Sequence, residues 1–156
     1  MSLTKTVKFL QKTAIIHDNK VLILKRSENS PFRPGAWDLP GGNAEWPEAD
    51  RSITDPHRQE VAREIKEETG FRIDPGIFTD KNLVHFTTYF EADVPRYAFI
   101  CGWRTQLSAD FNPNSVAISS EHTDWAWVSL EELETYDFGE PVGTYVKTII
   151  RNALKD

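Results

Sequence analysis

This sequence is poor in cysteine, in long apolar runs and in clustered positive charge. Its one cysteine, Cys101, has no partner for an intrachain disulfide and suits a reducing compartment. No stretch approaches the ~18 apolar residues of a membrane-spanning helix, and the first residues lack the apolar core of a secretory signal. The expectation is a cytoplasmic chain that does not engage a membrane. Lys and Arg total 18 against 24 Asp and Glu, a net charge of −6, and no Lys/Arg run occurs. This argues against a nucleic-acid duplex or an anionic surface as the main partner. An acidic small molecule would need a local correction of sign, which a divalent cation supplies. Repeats, low-complexity tracts and linkers are also missing, so residues 1–156 read as a single domain with a substantial core. Nothing in the composition excludes a homodimer.

What is present is a regular alternation of elements. Lys12–His17 and Lys20–Arg26 are β-rich runs around Asp18-Asn19, which predicts a hairpin. Residues 27–54 read as a long irregular stretch rich in Pro, Gly and Asn, the kind of loop that is usually functional or disordered. Asp55-Pro56 predicts a helix start with Asp55 as N-cap, and Gly70 a stop, giving a helix over 56–69. Strands are predicted near 71–78, 82–91, 96–106 and 124–128. Ser129-x-x-Glu132 predicts a capping box opening a short helix. Val146, Ile149, Ile150, Ala153 and Leu154 mark an amphipathic last helix from about 144. This order predicts an α/β or α+β sandwich, a mixed sheet with helices on its faces.

The helix over 56–69 carries an unusual face. Glu60, Glu64, Glu67 and Glu68 fall within roughly a 100° arc, beside Val61, Ala62 and Ile65, which would face a core. Like charges at these spacings repel by about 0.2–0.5 kcal/mol per pair, and Arg63 offsets part of that through Glu60 and Glu67. A hard divalent cation would neutralise the rest, since it prefers carboxylate oxygens. An acidic helix face is by itself more often a solvated surface. Here Gly41-Gly42 precedes it, Arg63 sits within it and Gly70 closes it.

That combination resembles the signature of the Nudix hydrolases. Arg63, Glu64, Ile65, Glu67, Glu68, Gly70 and Phe71 match its second half, and "GAWDLPGG" at 35–42 is similar to its lead-in. One departure stands out. Glu48 satisfies the spacing from Gly42, whereas counting back from Arg63 places the first acidic slot at Asp55, so seven residues are inserted. Asp55 is favoured for that slot, with a plain N-cap as the equal alternative, and residues 46–54 are expected to form a lid. The resemblance implies a Nudix-like α/β/α sandwich and Mg²⁺ as cofactor, with Mn²⁺ as a substitute. It implies Glu64, Glu67 and Glu68 as metal ligands and Arg63 as their orienting partner. Glu121, in a Glu-His pair before a Trp-containing strand, is an extra ligand, a general base or a plain loop acid. Gly41 and Gly42 would let backbone approach phosphate, and Trp46, Tyr89 or Phe111 would stack on a base. Arg26, Arg33 and Arg104 read as ordinary surface arginines, His122 as structural. The implied reaction is hydrolysis of the pyrophosphate in a nucleoside diphosphate linked to another moiety, with a small-molecule nucleotide as partner. Nucleoside triphosphates or dinucleoside polyphosphates are preferred over ADP-ribose or nucleotide sugars. A non-catalytic nucleotide-sensing module is the rival of another class. Cys101 lacks the motif of the isopentenyl diphosphate isomerases, which share this fold.

Overall fold

A computed structural model describes residues 6–46 and 51–155. Seven strands form one mixed sheet: β1 (Val7–His17), β2 (Lys20–Arg26), β3 (Trp37–Asp38), β4 (Gly41–Asn43), β5 (Leu83–Glu91), β6 (Arg96–Gln106) and β7 (His122–Val128). Asp18 and Asn19 both adopt positive φ and close the β1–β2 hairpin, as Asx residues tolerate. β1 pairs in parallel with β6 along its length on one edge. On its other edge it pairs with β2 only at Ile16 and His17, and with β4 at Leu10, Gln11 and Lys12. β2 leaves β1 after the turn and pairs instead with β7 and β3. The gap between the diverging strands is where β3 and β4 enter, and it becomes the site.

Two helices, α1 (Pro56–Thr69) and α2 (Thr144–Ala153), cover opposite faces of the sheet. Alternation along the strands sorts their residues. Ala14, Ile16, Val21 and Ile23 pack with Val146, Ile149 and Ile150 of α2, whereas Ile15, Leu22 and Leu24 pack with Val61 and Ile65 of α1. The architecture is the α/β/α sandwich expected, and α1 has the predicted bounds. Gly102 lets α2 lie close, because a Cβ there would stand 2.5 Å from Ile149 Cγ1.

Four expectations need correction. The strand predicted over 71–78 is absent: Asp74 accepts a hydrogen bond from Gly76 N–H, and Pro75–Ile77 form a 3₁₀ turn. Its apolar content is used otherwise, with Phe71 and Phe78 buried against Phe111 and Trp103. The stretch 27–54 is not wholly irregular, since β3 and β4 lie in it. Asp55 precedes α1 in a left-handed conformation and makes no side-chain cap; it pairs with Arg58 at 3.1 Å. The box at Ser129 forms, Glu132 accepting from Ser129 N–H and Oγ–H, but the element it opens is a 3₁₀ turn at Leu133–Thr135 rather than an α-helix. Residues 47–50 of the proposed lid, Glu48 among them, lie outside the described residues.

Candidate active site

Burial of Val61 and Ile65 fixes the rotation of α1, and with it the direction of each glutamate. Glu68, three residues after Ile65, turns inward and is only 5% exposed. Its Oε2 accepts the Gly41 N–H at 2.9 Å. The diglycine is explained by this contact. Gly41 has φ 139°, and a Cβ on it would lie 2.0 Å from the Gln11 carbonyl oxygen. At Gly42 a Cβ would stand 3.2 Å from Glu64 Oε2, so the Glu64 carboxylate lies directly over the bare backbone. Arg63 donates to Glu60 at 2.6 Å, Glu67 at 2.7 Å and Glu64 at 3.0 Å, one more partner than the helical spacing suggests. These pairs hold the Arg63 guanidinium well above its ordinary range, chiefly through the hydrogen bonds to Glu60 and Glu67.

Glu68 lacks such a partner. Burial pushes its pKa up to about 8, and the nearby Lys12 charge and the Gly41 N–H offset this only in part. Burial also raises Glu64, against the pull of Arg63. Two hard carboxylates short of positive charge therefore stand together at the diglycine.

Beside them is a cationic cluster, with Lys12 paired in register with Gly41 and close to Glu68. Asp38 Oδ2 accepts from Lys12 Nζ at 3.0 Å, Arg26 at 3.0 Å and Arg33 at 2.8 Å, while Leu39 N–H reaches Oδ1 at 2.8 Å. Burial alone would raise the Asp38 pKa, but Lys12 and Arg33 bring it down to about 2. Burial pulls the Lys12 pKa down, but attraction to Asp38, Tyr145 and Glu68 and the hydrogen bond to Asp38 together raise it above the ordinary lysine value. Three cations around one carboxylate leave the cluster net positive. Next to it His122, buried and close to Lys12, falls to about 4 and is neutral near pH 7.

Glu64 and Glu68, together with Lys12, Arg26 and Arg33, line one cleft of about 1170 Å³. Of the residues singled out from sequence, Gly41, Gly42, Glu64, Glu68, Tyr89 and Glu121 line it. Arg63 stands outside, behind Glu64. Glu67 is exposed and bound by Arg63, and is not part of the cleft wall. Trp46 lies edge-on to Phe9, in a separate depression of about 450 Å³ with Ile53, Glu60 and Arg63. Phe111 packs on Phe71 in the core and is not placed to stack on a ligand. Sequence reasoning missed Lys12 and Asp38 and dismissed Arg26 and Arg33, three of which line the cleft while Asp38 holds them. The available signal was opposite charge at buried strand positions. Lys12 precedes Ala14 and Ile16 on one face of β1, Asp38 lies between Trp37 and the buried Leu39, and buried charges must pair.

Among the described residues no three His, Cys, Asp or Glu side chains come together to hold a metal ion. Glu64 and Glu68 nevertheless fit a hard cation of the Mg²⁺ type, which takes one or two carboxylates and completes its shell with water and substrate phosphate.

The NUDIX domain profile matches residues 12–145. The chain belongs to the Nudix family. Nucleoside triphosphatase NudI of Salmonella typhimurium is 31% identical to this Nudix hydrolase over 126 residues, covering 79% of this chain and 82% of that protein. The MutT protein of Methanosarcina mazei superposes with a TM-score of 0.67 at 27% identity, covering 97% of this chain and 96% of that one. An Ap4A hydrolase of C. elegans shares the fold at a TM-score of 0.58 and 22% identity, covering 93% of each chain. This Nudix chain is thus a pyrophosphohydrolase of a family that acts on small nucleotides with divalent metals. No helix of the described residues is long and apolar enough to cross a membrane.

Proposed function

We propose that this Nudix hydrolase cleaves a phosphoanhydride of a nucleoside triphosphate in the cytoplasm, using Mg²⁺ with Mn²⁺ as a substitute. The observation that carries the reading is that two carboxylic residues, Glu64 and Glu68, and three cationic ones, Lys12, Arg26 and Arg33, line a single cleft. A polyphosphate with its cation meets both signs there. The name of the Salmonella relative supports triphosphates as the substrate class.

Glu64 and Glu68 would hold the cation, which when bound would supply charge stabilisation at the phosphoryl group and a lower pKa for attacking water. Arg63 keeps Glu64 aimed over Gly42, and Glu67, held outside by the same arginine, adds negative charge at longer range. Lys12 donates to Asp38 and Leu39, which leaves one of its three protons for a phosphate oxygen. Arg26 donates through Nε to Phe32 O and through one terminal nitrogen to Asp38, leaving its other terminal nitrogen for the same purpose. Glu121 shares the cleft and takes the proton of the attacking water.

A panel of nucleoside triphosphates, dinucleoside polyphosphates, ADP-ribose and nucleotide sugars with Mg²⁺, resolved by product, tests this. Triphosphates should show the highest kcat/KM. Turnover confined to ADP-ribose or sugar nucleotides would contradict the substrate assignment.

A further inference from the structure

Three strands of the sheet share a face without charge. Alternation and register put Val7 and Phe9 of β1, Tyr97 and Phe99 of β6, and Phe86, Thr88 and Phe90 of β5 on one side. Every Lys, Arg, Asp and Glu of these strands, namely Lys8, Lys12, Glu91, Arg96 and Arg104, alternates to the other side. A sheet face that meets water normally carries polar and charged residues. α1 covers only part of this one. In its first turn His57 stacks on Trp103, ring centres 5.9 Å apart, and the His57 carbonyl accepts from Gln11 Nε2 at 3.0 Å. Past that point the strands run on with their rings exposed. Among the described residues ten large hydrophobic side chains are exposed, and five of them, Val7, Trp46, Phe86, Phe90 and Tyr97, gather here.

The rings touch one another. Phe9 stacks on Phe99 at 4.5 Å, Trp46 meets Phe9 edge-on at 5.9 Å, Phe86 lies 5.9 Å from Phe99, and Phe90 lies 5.1 Å from Tyr97. Single exposed apolar residues are ordinary, whereas a contiguous patch marks an interaction surface. Phe86 is 57% exposed, Trp46 53%, and Phe90 and Tyr97 45% each. At about 150–250 Å² per aromatic side chain, these four leave on the order of 400 Å² of apolar surface in water. A standard interface takes about 800 Å² from each partner, about 65% of it apolar in homodimers. With Val7 and the half-buried Phe9 and Phe99, the face supplies an apolar core of that size.

We propose that this face is the interface of a homodimer in which two copies stack sheet on sheet about a twofold axis. Charge selects the occupant. In a twofold contact each copy presents the same patch, so the patch must be complementary to itself. An uncharged aromatic face meets that condition, whereas a charged one would set like charges against each other. Each chain carries a net charge of −6, so two copies repel where their charged surfaces meet, and here they touch without that repulsion. A strongly acidic or basic partner would lose its hydration on this face and find no counter-charge. None of the patch residues lines the cleft, so both active sites of the dimer stay open.

The test is sedimentation velocity on the full chain over a concentration series. Wild type should be a dimer at micromolar concentration. Thr88 is exposed between Phe86 and Phe90 and is the place to add a charge while keeping every ring. Thr88→Glu should raise the dissociation constant on the order of 100-fold, because each copy then buries a like charge, and Thr88→Gln should stay within about threefold of wild type. Phe86→Ser should weaken the dimer about tenfold or more, which tests the same face should Thr88→Glu lose the wild-type circular dichroism spectrum. Leu130→Glu, at an exposed apolar residue beyond β7, should dimerise as wild type does. A wild type that stays monomeric at every concentration, equal constants for Thr88→Glu and Thr88→Gln, or an equal loss in Leu130→Glu would overturn the interface. So would a monomer that sediments with neutral phosphatidylcholine vesicles, because the face would then belong to a lipid surface.

Discussion

Asp38 binds three cationic side chains at once, and its removal would leave all three in a buried pocket without a counter-charge. Asp38→Ala should cost about 3–5 kcal/mol in urea unfolding, the cost of breaking a buried pair from one side. Gly41→Ala should cost at least about 2 kcal/mol, since it adds a steric clash with Gln11 O to a strained φ. Glu68 has a different signature. The folded protein holds its proton up to about pH 8, whereas an ordinary Glu releases it near 4.5. Between those values the folded state binds more proton than the unfolded chain, so the group's contribution is complete below about 4.5 and is lost as pH rises toward 8. Urea titrations in chelator should show wild type losing stability relative to Glu68→Gln between about pH 6 and 8; parallel pH profiles would contradict this. At this scale helical spacing makes the shared face of Glu64 and Glu68 legible, whereas their reading as metal ligands comes from the resemblance, and Glu67, counted with them, stands outside the cleft. Asp38 and its cations were not legible, because their pairing joins residues on different strands and a loop, and single charges in a sequence carry no sign of their partners.

Helices and long strands were legible where period and punctuation agree. Pro56 and Gly70 bound α1, and the apolar spacing from Val146 to Leu154 marks α2. The short strands β3 and β4 were not, because two or three residues cannot display a period and their pairing is decided by the divergence of β1 from β2. The false strand at 71–78 failed for the opposite reason: its apolar residues are real core, delivered by a turn that Asp74 and Pro75 nucleate. Close packing between elements leads to a further expectation. Gly102→Ala should destabilise by about 1–3 kcal/mol through overpacking against α2. Combination with Ile149→Val should recover part of that loss, giving a non-additive cycle in thermal or urea unfolding. Simple additivity would mean that α2 does not rest on Gly102.

For the molecule as a whole, the net charge of −6 hides a cleft that brings both signs together, Glu64 and Glu68 with Lys12, Arg26 and Arg33. Composition reports the sum, and only the fold shows where the signs meet. The central claim is that the carboxylate wall is the seat of hydrolysis. The most direct measurement is kcat for a nucleoside triphosphate across a Mg²⁺ titration, comparing wild type with Glu68→Gln and Lys66→Gln. Lys66 is exposed on the far side of α1, so both substitutions alter charge on one helix while only one touches the cleft. Glu68→Gln should lose on the order of 10²-fold or more in rate and require more Mg²⁺ for half-maximal activity, as loss of a preorganised electrostatic contact does. Lys66→Gln should follow wild type. A Glu68→Gln enzyme that matches wild type at limiting Mg²⁺ would contradict the assignment.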